Sequence, residues 1–210
     1  VSKYIFDTPY ELNHVLAQIY TNSSEAKAKI SVHSDKTKDM PLNGIMAFCT
    51  FYDMDNYETH TRKSTVDKYD LCYGDSKPEL NTSVLTKLCF KKKKDAPSSL
   101  TKNFDITLYP NSMLLIPLST NRYYTHEIRP STLQWDQIPT RMGYVVRCSK
   151  TDAVYSLSND VSYINLDGDY RRMREATPED TKFIKDLYYK ENTTSEIIEY
   201  GNIFVSLNKG

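Results

Sequence analysis

The sequence predicts a mainly β fold with flanking helices, a sandwich or barrel core of short strands followed by an α/β extension. Three observations carry this expectation. Short apolar runs, several with period-two alternation, recur between residues 13 and 148. Pro41, Pro110, Pro130 and Pro139 punctuate them, as expected at strand ends. Seventeen tyrosines against seven phenylalanines tilt the aromatic content toward strand formers.

Taken in order, NHVLAQIY (13–20), AKISVH (28–33) and GIMAFCTFY (44–52) form a first cluster of strands. FDITLY (104–109), SMLLIPL (112–118), YYTHEI (123–128) and RMGYVVRC (141–148) form a second. The polar stretch between them, at about 53–103, reads as an insertion carrying a hairpin, and its Lys91–Lys94 run reads as a solvated edge. Tyr123 and Tyr124 read as core-wall residues, and Trp135 as packing in a surface loop. From 151 to 210 the composition changes to an extension packed on the core of 1–150. There Thr177 is an N-cap, Pro178 opens a helix, and Glu179 and Asp180 favour its first turn. Phe183, Ile184, Leu187 and Tyr188 form the helix's apolar stripe, and NIFVSL (202–207) ends the chain as a strand.

Composition excludes several classes. A chain of 210 residues with 39% hydrophobic content builds a core, and a net charge of zero argues against a general nucleic-acid coat. With six glycines and no Walker or Rossmann pattern, a glycine-rich nucleotide loop is not expected. Cys49, Cys72, Cys89 and Cys148 lack the spacing of a zinc knuckle or disulfide scaffold, so free thiols in a cytoplasmic or nuclear setting are expected. Sequons at Asn22, Asn81 and Asn192 do not outweigh that reading. No apolar run approaches the ~20 residues of a membrane helix, so no membrane is expected.

The chemistry concentrates in a few residues. His33 and Asp35 are two apart at a strand end, so an extended backbone aims both at one point. Of the other histidines, His14 and His60 lie in segments without a partner pattern, whereas His126 sits on a predicted strand of the second cluster. Two imidazoles and a carboxylate form the facial triad of non-haem Fe(II) oxygenases, which leaves the opposite face open. Zinc hydrolases use the same ligand types. Arg141 and Arg147, six apart on one predicted strand, share a face and call for anionic partners, which a dicarboxylate would supply. Six residues of strand span about 20 Å, so the two side chains must converge or the strand must bend.

This order of residues, His33-x-Asp35, distant His126, then Arg141 and Arg147, resembles the AlkB-like family of Fe(II)/2-oxoglutarate-dependent dioxygenases. Asp136 stands where prolyl-hydroxylase-type enzymes carry their basic residue. Gln18-Ile19-Tyr20 is similar to the family's Asn-x-Tyr on the strand before the first iron ligands. The resemblance covers residues 13 to 149 and implies a double-stranded β-helix, or jelly-roll, core. It implies that His33, Asp35 and His126 hold iron. It further implies that Arg141 and Tyr20 hold the distal carboxylate of 2-oxoglutarate, and that Arg147 and Gln18 lie near the carboxylate that chelates the metal.

The implied activity is an oxidation that uses dioxygen and converts 2-oxoglutarate to succinate and carbon dioxide. On an N-methyl group the hydroxylated product collapses to formaldehyde and free amine, so the implied substrates are N-alkylated bases in RNA or DNA, with Lys91–Lys94 and the tyrosines as a phosphate track and stacking surface. The alternatives are hydroxylation of a protein side chain, a catalytically inactive member that binds a partner, and a structural zinc module. The chain departs from the family pattern at Gln18, which replaces Asn, and at Gly143, where many members carry a polar residue. It departs also in the length between His33 and His126 and in the few residues ahead of the first strand. A substrate lid is therefore expected either upstream of Val1 or from the insertion and the extension.

Overall fold

The computed structural model describes residues 11–55, 60–74, 82–201, 203 and 205. Its core strands are β1 (Leu12–Tyr20), β2 (Ile30–His33), β3 (Ile45–Tyr52), β6 (Lys87–Lys92), β7 (Asn103–Thr107), β8 (Ser112–Pro117), β9 (Tyr124–Ile128) and β10 (Arg141–Cys148). They form two four-stranded sheets, β1-β10-β3-β8 and β2-β9-β6-β7, and every ladder is antiparallel. The pairing is nested. The first of these eight strands pairs with the last, the second with the seventh, the third with the sixth and the fourth with the fifth.

The two sheets meet through alternate side chains. Met46 of β3 and Ile116 of β8 face Leu88 and Phe90 of β6 and Tyr124 and Ile128 of β9 in one core cluster. Phe90 stacks on Phe104 with ring centroids 4.7 Å apart and meets the Tyr124 ring edge-on. Burying each large apolar side chain here contributes about 1.5–3 kcal/mol. A short helix, α1 (Leu118–Tyr123), joins β8 to β9 and delivers Asn121 into the interior.

The expected insertion is shorter than 53–103. It contains the expected hairpin, β4 (Thr61–Lys63) paired with β5 (Leu71–Tyr73). Residues 87–92, however, form an inner strand of the second sheet, flanked by β9 and β7. Its buried Leu88-Cys89-Phe90 run is only three residues long and is hidden in a polar context. The Lys91–Lys94 run is not a solvated edge throughout: Lys91 and Lys94 are exposed, but Lys93 is turned inward and is not available to a phosphate. Lys93 is 6% exposed, and its ammonium donates to the carbonyls of Asn121, Glu191 and Thr194.

After Cys148 a three-stranded meander follows: β11 (Asp152–Ser156), β12 (Val161–Leu166) and β13 (Asp169–Arg172). Asp167 and Gly168, both at positive φ, make the tight β12–β13 turn. The helix α2 (Pro178–Thr193) starts as its sequence predicts, with Thr177 and Asp180 capping each other's backbone N–H. Its stripe differs: Ile184 is buried but Phe183 is 53% exposed. The predicted strand over 202–207 lies outside the described residues except for Ile203 and Val205, and Val205 forms a parallel bridge with Arg174. The four cysteines are free thiols. Among the described residues no helix is long and apolar enough to cross a membrane.

Phe90→Ala removes the ring that joins the two sheets and is expected to destabilise the protein by about 3–5 kcal/mol. Urea unfolding at neutral pH measures this, and a loss below 1 kcal/mol, roughly that of a surface change, would contradict the two-sheet core.

Candidate metal centre

His33 and His126 are direct cross-strand partners on β2 and β9, with ring centroids 4.4 Å apart. Strict alternation sets His33 opposite Ile30. Instead, a register shift between Ile30 and His33 sets three steps of β2 against two of β9, so both residues pair inward and Val32 is 52% exposed. This bulge re-aims His33 into the sandwich. Its Nδ1 lies 2.8 Å from the Ser31 carbonyl oxygen, which accepts only, so Nδ1 carries a proton, and Nε2 faces Asp35, donating to it when the ring is charged and offering a lone pair when the ring is neutral.

Asp35 follows the strand end. Its Oδ1 is 3.6 Å from His33 Nε2 and 3.1 Å from Arg147 Nη2. One ligand atom from each of His33, Asp35 and His126 lies within 4.8 Å of the others. Burial pulls the Asp35 pKa up, but the hydrogen bond from His33 and the charges of Arg147 and the two histidines outweigh it and hold the carboxyl down at about 2. Burial pushes His126 down to about 4, so its imidazole is neutral at pH 7. His33 is also lowered by burial, yet the hydrogen bonds to Asp35 and Ser31 and the Asp35 charge raise it overall.

Two neutral-capable imidazoles and an ionised carboxylate are the donor set of a divalent transition metal. Asp35 Oδ2 and His126 Nδ1 are buried without a hydrogen-bond partner among the described residues. Such orphans are rare in folded proteins, and a cation satisfies a buried carboxylate oxygen directly. The residues present therefore fit a bound metal.

The loop bearing Asp35 is held from three sides. Asn121 accepts from Asp35 N at 2.8 Å and donates to Asp35 O at 2.9 Å. Asn192 Oδ1 accepts from Ser34 N at 2.8 Å, and Glu191 Oε1 accepts from Thr37 N at 2.9 Å. The Asn192 amide also donates to Tyr188 O, so this sequon asparagine is engaged in the interior contact.

The remaining predicted residues line the same cavity, of about 180 Å³, enclosed between the sheets. Arg141 is 6% exposed, and its guanidinium lies 3.9 Å over the Tyr20 ring. Among the described residues it forms no ion pair with a carboxylate. The cation–π contact contributes about 2 kcal/mol when desolvated, which does not offset the several kcal/mol of burying the charge. The Tyr20 hydroxyl donates to Gln18 Oε1 at 2.6 Å. Gly143 is cross-strand from Gln18, and a Cβ there would stand 3.0 Å from Arg141 Nη1. The departure at Gly143 thus leaves room for the guanidinium.

The two arginines do not converge on one point. Arg147 is committed to Asp35 at one end of β10, and Arg141 stacks on Tyr20 at the other, with the cavity touching both. Sequence reasoning missed His14, which pairs across the ladder with Arg147. It also missed Asn121, Glu191 and Asn192. Outside the cavity, a groove of about 540 Å³ opens beside His33, Asp35 and Arg147, walled by Lys36, Tyr188, Asp152 and Met173. Lys36 Nζ lies 5.0 Å over the Tyr188 ring. Trp135 sits apart on a one-turn helix at the surface.

No model of a known protein family matches the chain, and a search of curated proteins finds no significant match.

The depressed His126 value makes a pH prediction for the metal-free protein. Below the ordinary value of 6.5 the unfolded chain takes up a proton that the folded chain refuses until about 4, so stability falls across this window. At about 1.36 kcal/mol per unit the loss is about 3 kcal/mol. The Asp35 contribution is present above 3.8 and is lost only as pH falls toward about 2, and the His33 contribution is lost as pH rises above 6.5, so both lie outside the window. Urea unfolding from pH 7 to 4 is expected to show this fall in the wild type and a flatter curve in His126→Gln. Parallel curves would mean that His126 titrates normally.

Proposed function

We propose that the chain is an Fe(II)- and 2-oxoglutarate-dependent dioxygenase of AlkB-like type. The observation that carries this is a single cavity bounded by the His33–Asp35–His126 cluster and by a buried arginine, Arg141, with no carboxylate partner among the described residues. The nested pairing of the eight sandwich strands supports a jelly-roll core, since winding a long hairpin of four paired segments produces that order.

In this reading His33 Nε2, the Asp35 carboxylate and one nitrogen of His126 hold iron. Such a centre, with 2-oxoglutarate and dioxygen as co-substrates, would supply the oxidation of a substrate C–H bond coupled to decarboxylation of the oxoacid to succinate. The protein supplies the rest. Arg147 keeps Asp35 ionised and fixes its orientation. Arg141 receives the far carboxylate of 2-oxoglutarate, which removes the cost of its unpaired charge. Tyr20, steadied by Gln18, forms the floor under that guanidinium. The cavity, at about 180 Å³, is smaller than the roughly 300–1,000 Å³ of a drug-sized pocket and suits a five-carbon diacid. Phe48, Leu88 and Ile128 on its walls exclude water from the reacting end.

The substrate reaches the metal from the larger groove. Its tyrosine and lysine pair, Tyr188 and Lys36, supports an aromatic, anionic substrate such as an N-alkylated base in nucleic acid, for which stacking and charge act together.

The test is succinate formation from 2-oxoglutarate with Fe(II) and ascorbate. Wild type is expected to turn over and His126→Ala to be inactive. Arg141→Met loses a charge-assisted contact of about 1.5–3 kcal/mol, so KM for 2-oxoglutarate is expected to rise about 10–100-fold. An unchanged KM would remove Arg141 from the co-substrate site, and absence of both turnover and 2-oxoglutarate binding in folded wild type would refute the dioxygenase reading.

A further inference from the structure

The C-terminal extension reaches the metal centre through polar contacts. Adjacent residues at the end of α2 bracket Asp35: Asn192 accepts from Ser34 N–H and Glu191 from Thr37 N–H. Glu191 is itself fixed by the Tyr200 hydroxyl and the Thr37 hydroxyl, and Asn192 by its bond to Tyr188 O. Lys93 ties the end of α2 to the core by donating to the Glu191 and Thr194 carbonyls and, on the core side, to Asn121 O. Asn121 in turn holds the Asp35 backbone.

A helix that only covers the core docks through an apolar stripe. Here Ile184 is the one buried apolar residue of α2, while Glu191, Lys93 and Asn121 are buried polar groups gathered around residues 34–37. Burying such a network costs more than burying apolar groups of the same volume, and its advantage lies in fixing geometry. Residues 34–37 carry the one carboxylate of the ligand cluster.

We propose that Asn192 and Glu191 are positioning residues for Asp35, so that the C-terminal extension sets the geometry of the metal centre. The inference rests on the metal-centre reading above. These contacts hold the backbone on either side of Asp35, and by comparison outer-shell partners of metal ligands change metal affinity by about 10–100-fold when lost.

The experiment titrates the metal-free 210-residue chain with Mn(II) alone, a redox-stable stand-in for Fe(II), by calorimetry, alongside the thermal midpoint of the metal-free protein. Asn192→Ala is expected to weaken Mn(II) binding about 10–100-fold. Asn192→Asp keeps the acceptor for Ser34 N–H and is expected to restore most of that affinity. Ile184→Ala, which removes the apolar anchor of the same helix, is expected to lower the thermal midpoint while leaving Mn(II) affinity unchanged. If Asn192→Ala behaves like Ile184→Ala, with lower stability and unaltered affinity, α2 is a structural cover and the inference is overturned. Should Asn192→Ala not fold, Asn192→Ser, whose hydroxyl is too short to reach Ser34 N–H, gives the same reading. Wild type and His126→Ala that both fail to bind Mn(II) overturn the metal reading and this inference with it. Binding that is lost in His126→Ala but intact in the folded Asn192 variant overturns this inference alone.

Discussion

The buried Asp35 carboxylate is the constraint on which the site depends. It belongs to the loop after β2 in one sheet, yet its closest charged partner, Arg147, projects from β10 in the other. A buried carboxylate cannot stand alone at neutral pH without either a proton or a cation. The hydrogen bond from His33 and the charge of Arg147 hold it ionised, so the contact that joins the sheets also leaves a charged carboxylate facing the two imidazoles. Because Oδ1 is taken by Arg147 and His33, Oδ2 is left as the acceptor without a protein partner.

Arg141 poses the complementary problem at the other end of the cavity. Its charge is buried against a tyrosine face rather than against an acid. The backbone accommodates this at Gly143, where any side chain would press on the guanidinium. One end of the cavity therefore offers lone pairs to a cation, and the other offers a cation to an anion. In the proposed reading a small dicarboxylate that also chelates a metal would answer both demands at once.

Much of this was legible in the sequence, and the failures have physical causes. The strand runs over 13–20, 44–52, 112–118 and 141–148 carried their signal because each is long and apolar against polar flanks. The facing of His33 was not legible, because period-two alternation assumes an unbroken register and a bulge resets it. β6 was masked by the lysines around three buried residues, and Lys93 is buried only because three carbonyls from distant segments converge on its ammonium. The β11–β13 meander left a readable mark in Asp167-Gly168, the dipeptide of a two-residue hairpin turn, next to the alternating run 161–166. For Asn121 and Asn192 no local pattern exists. An asparagine that holds a remote backbone N–H reads in sequence like any surface asparagine.

The site is also the part of the fold with the longest closures. Asn192 meets Ser34 across 158 positions, and Asn121 meets Asp35 across 86. The His33–His126 pair requires β2 and β9 to be in register, and the Asp35–Arg147 pair requires both sheets to be stacked. Contacts of this span form only after nearer pairings have shortened the loops between them. On the proposed role of Asn192 and Glu191, the His33–Asp35–His126 geometry would be incomplete in a partly folded chain whose extension is undocked. A metal that binds only the complete arrangement adds its binding free energy to the native state alone. The polar grip of α2 on residues 34–37 would then couple a late segment of the chain to the proposed ligand Asp35. The buried polar groups Glu191, Lys93 and Asn121 lie where such a coupling would need them, beside the apolar contacts that Ile164, Ile184, Tyr200 and Val205 give the extension.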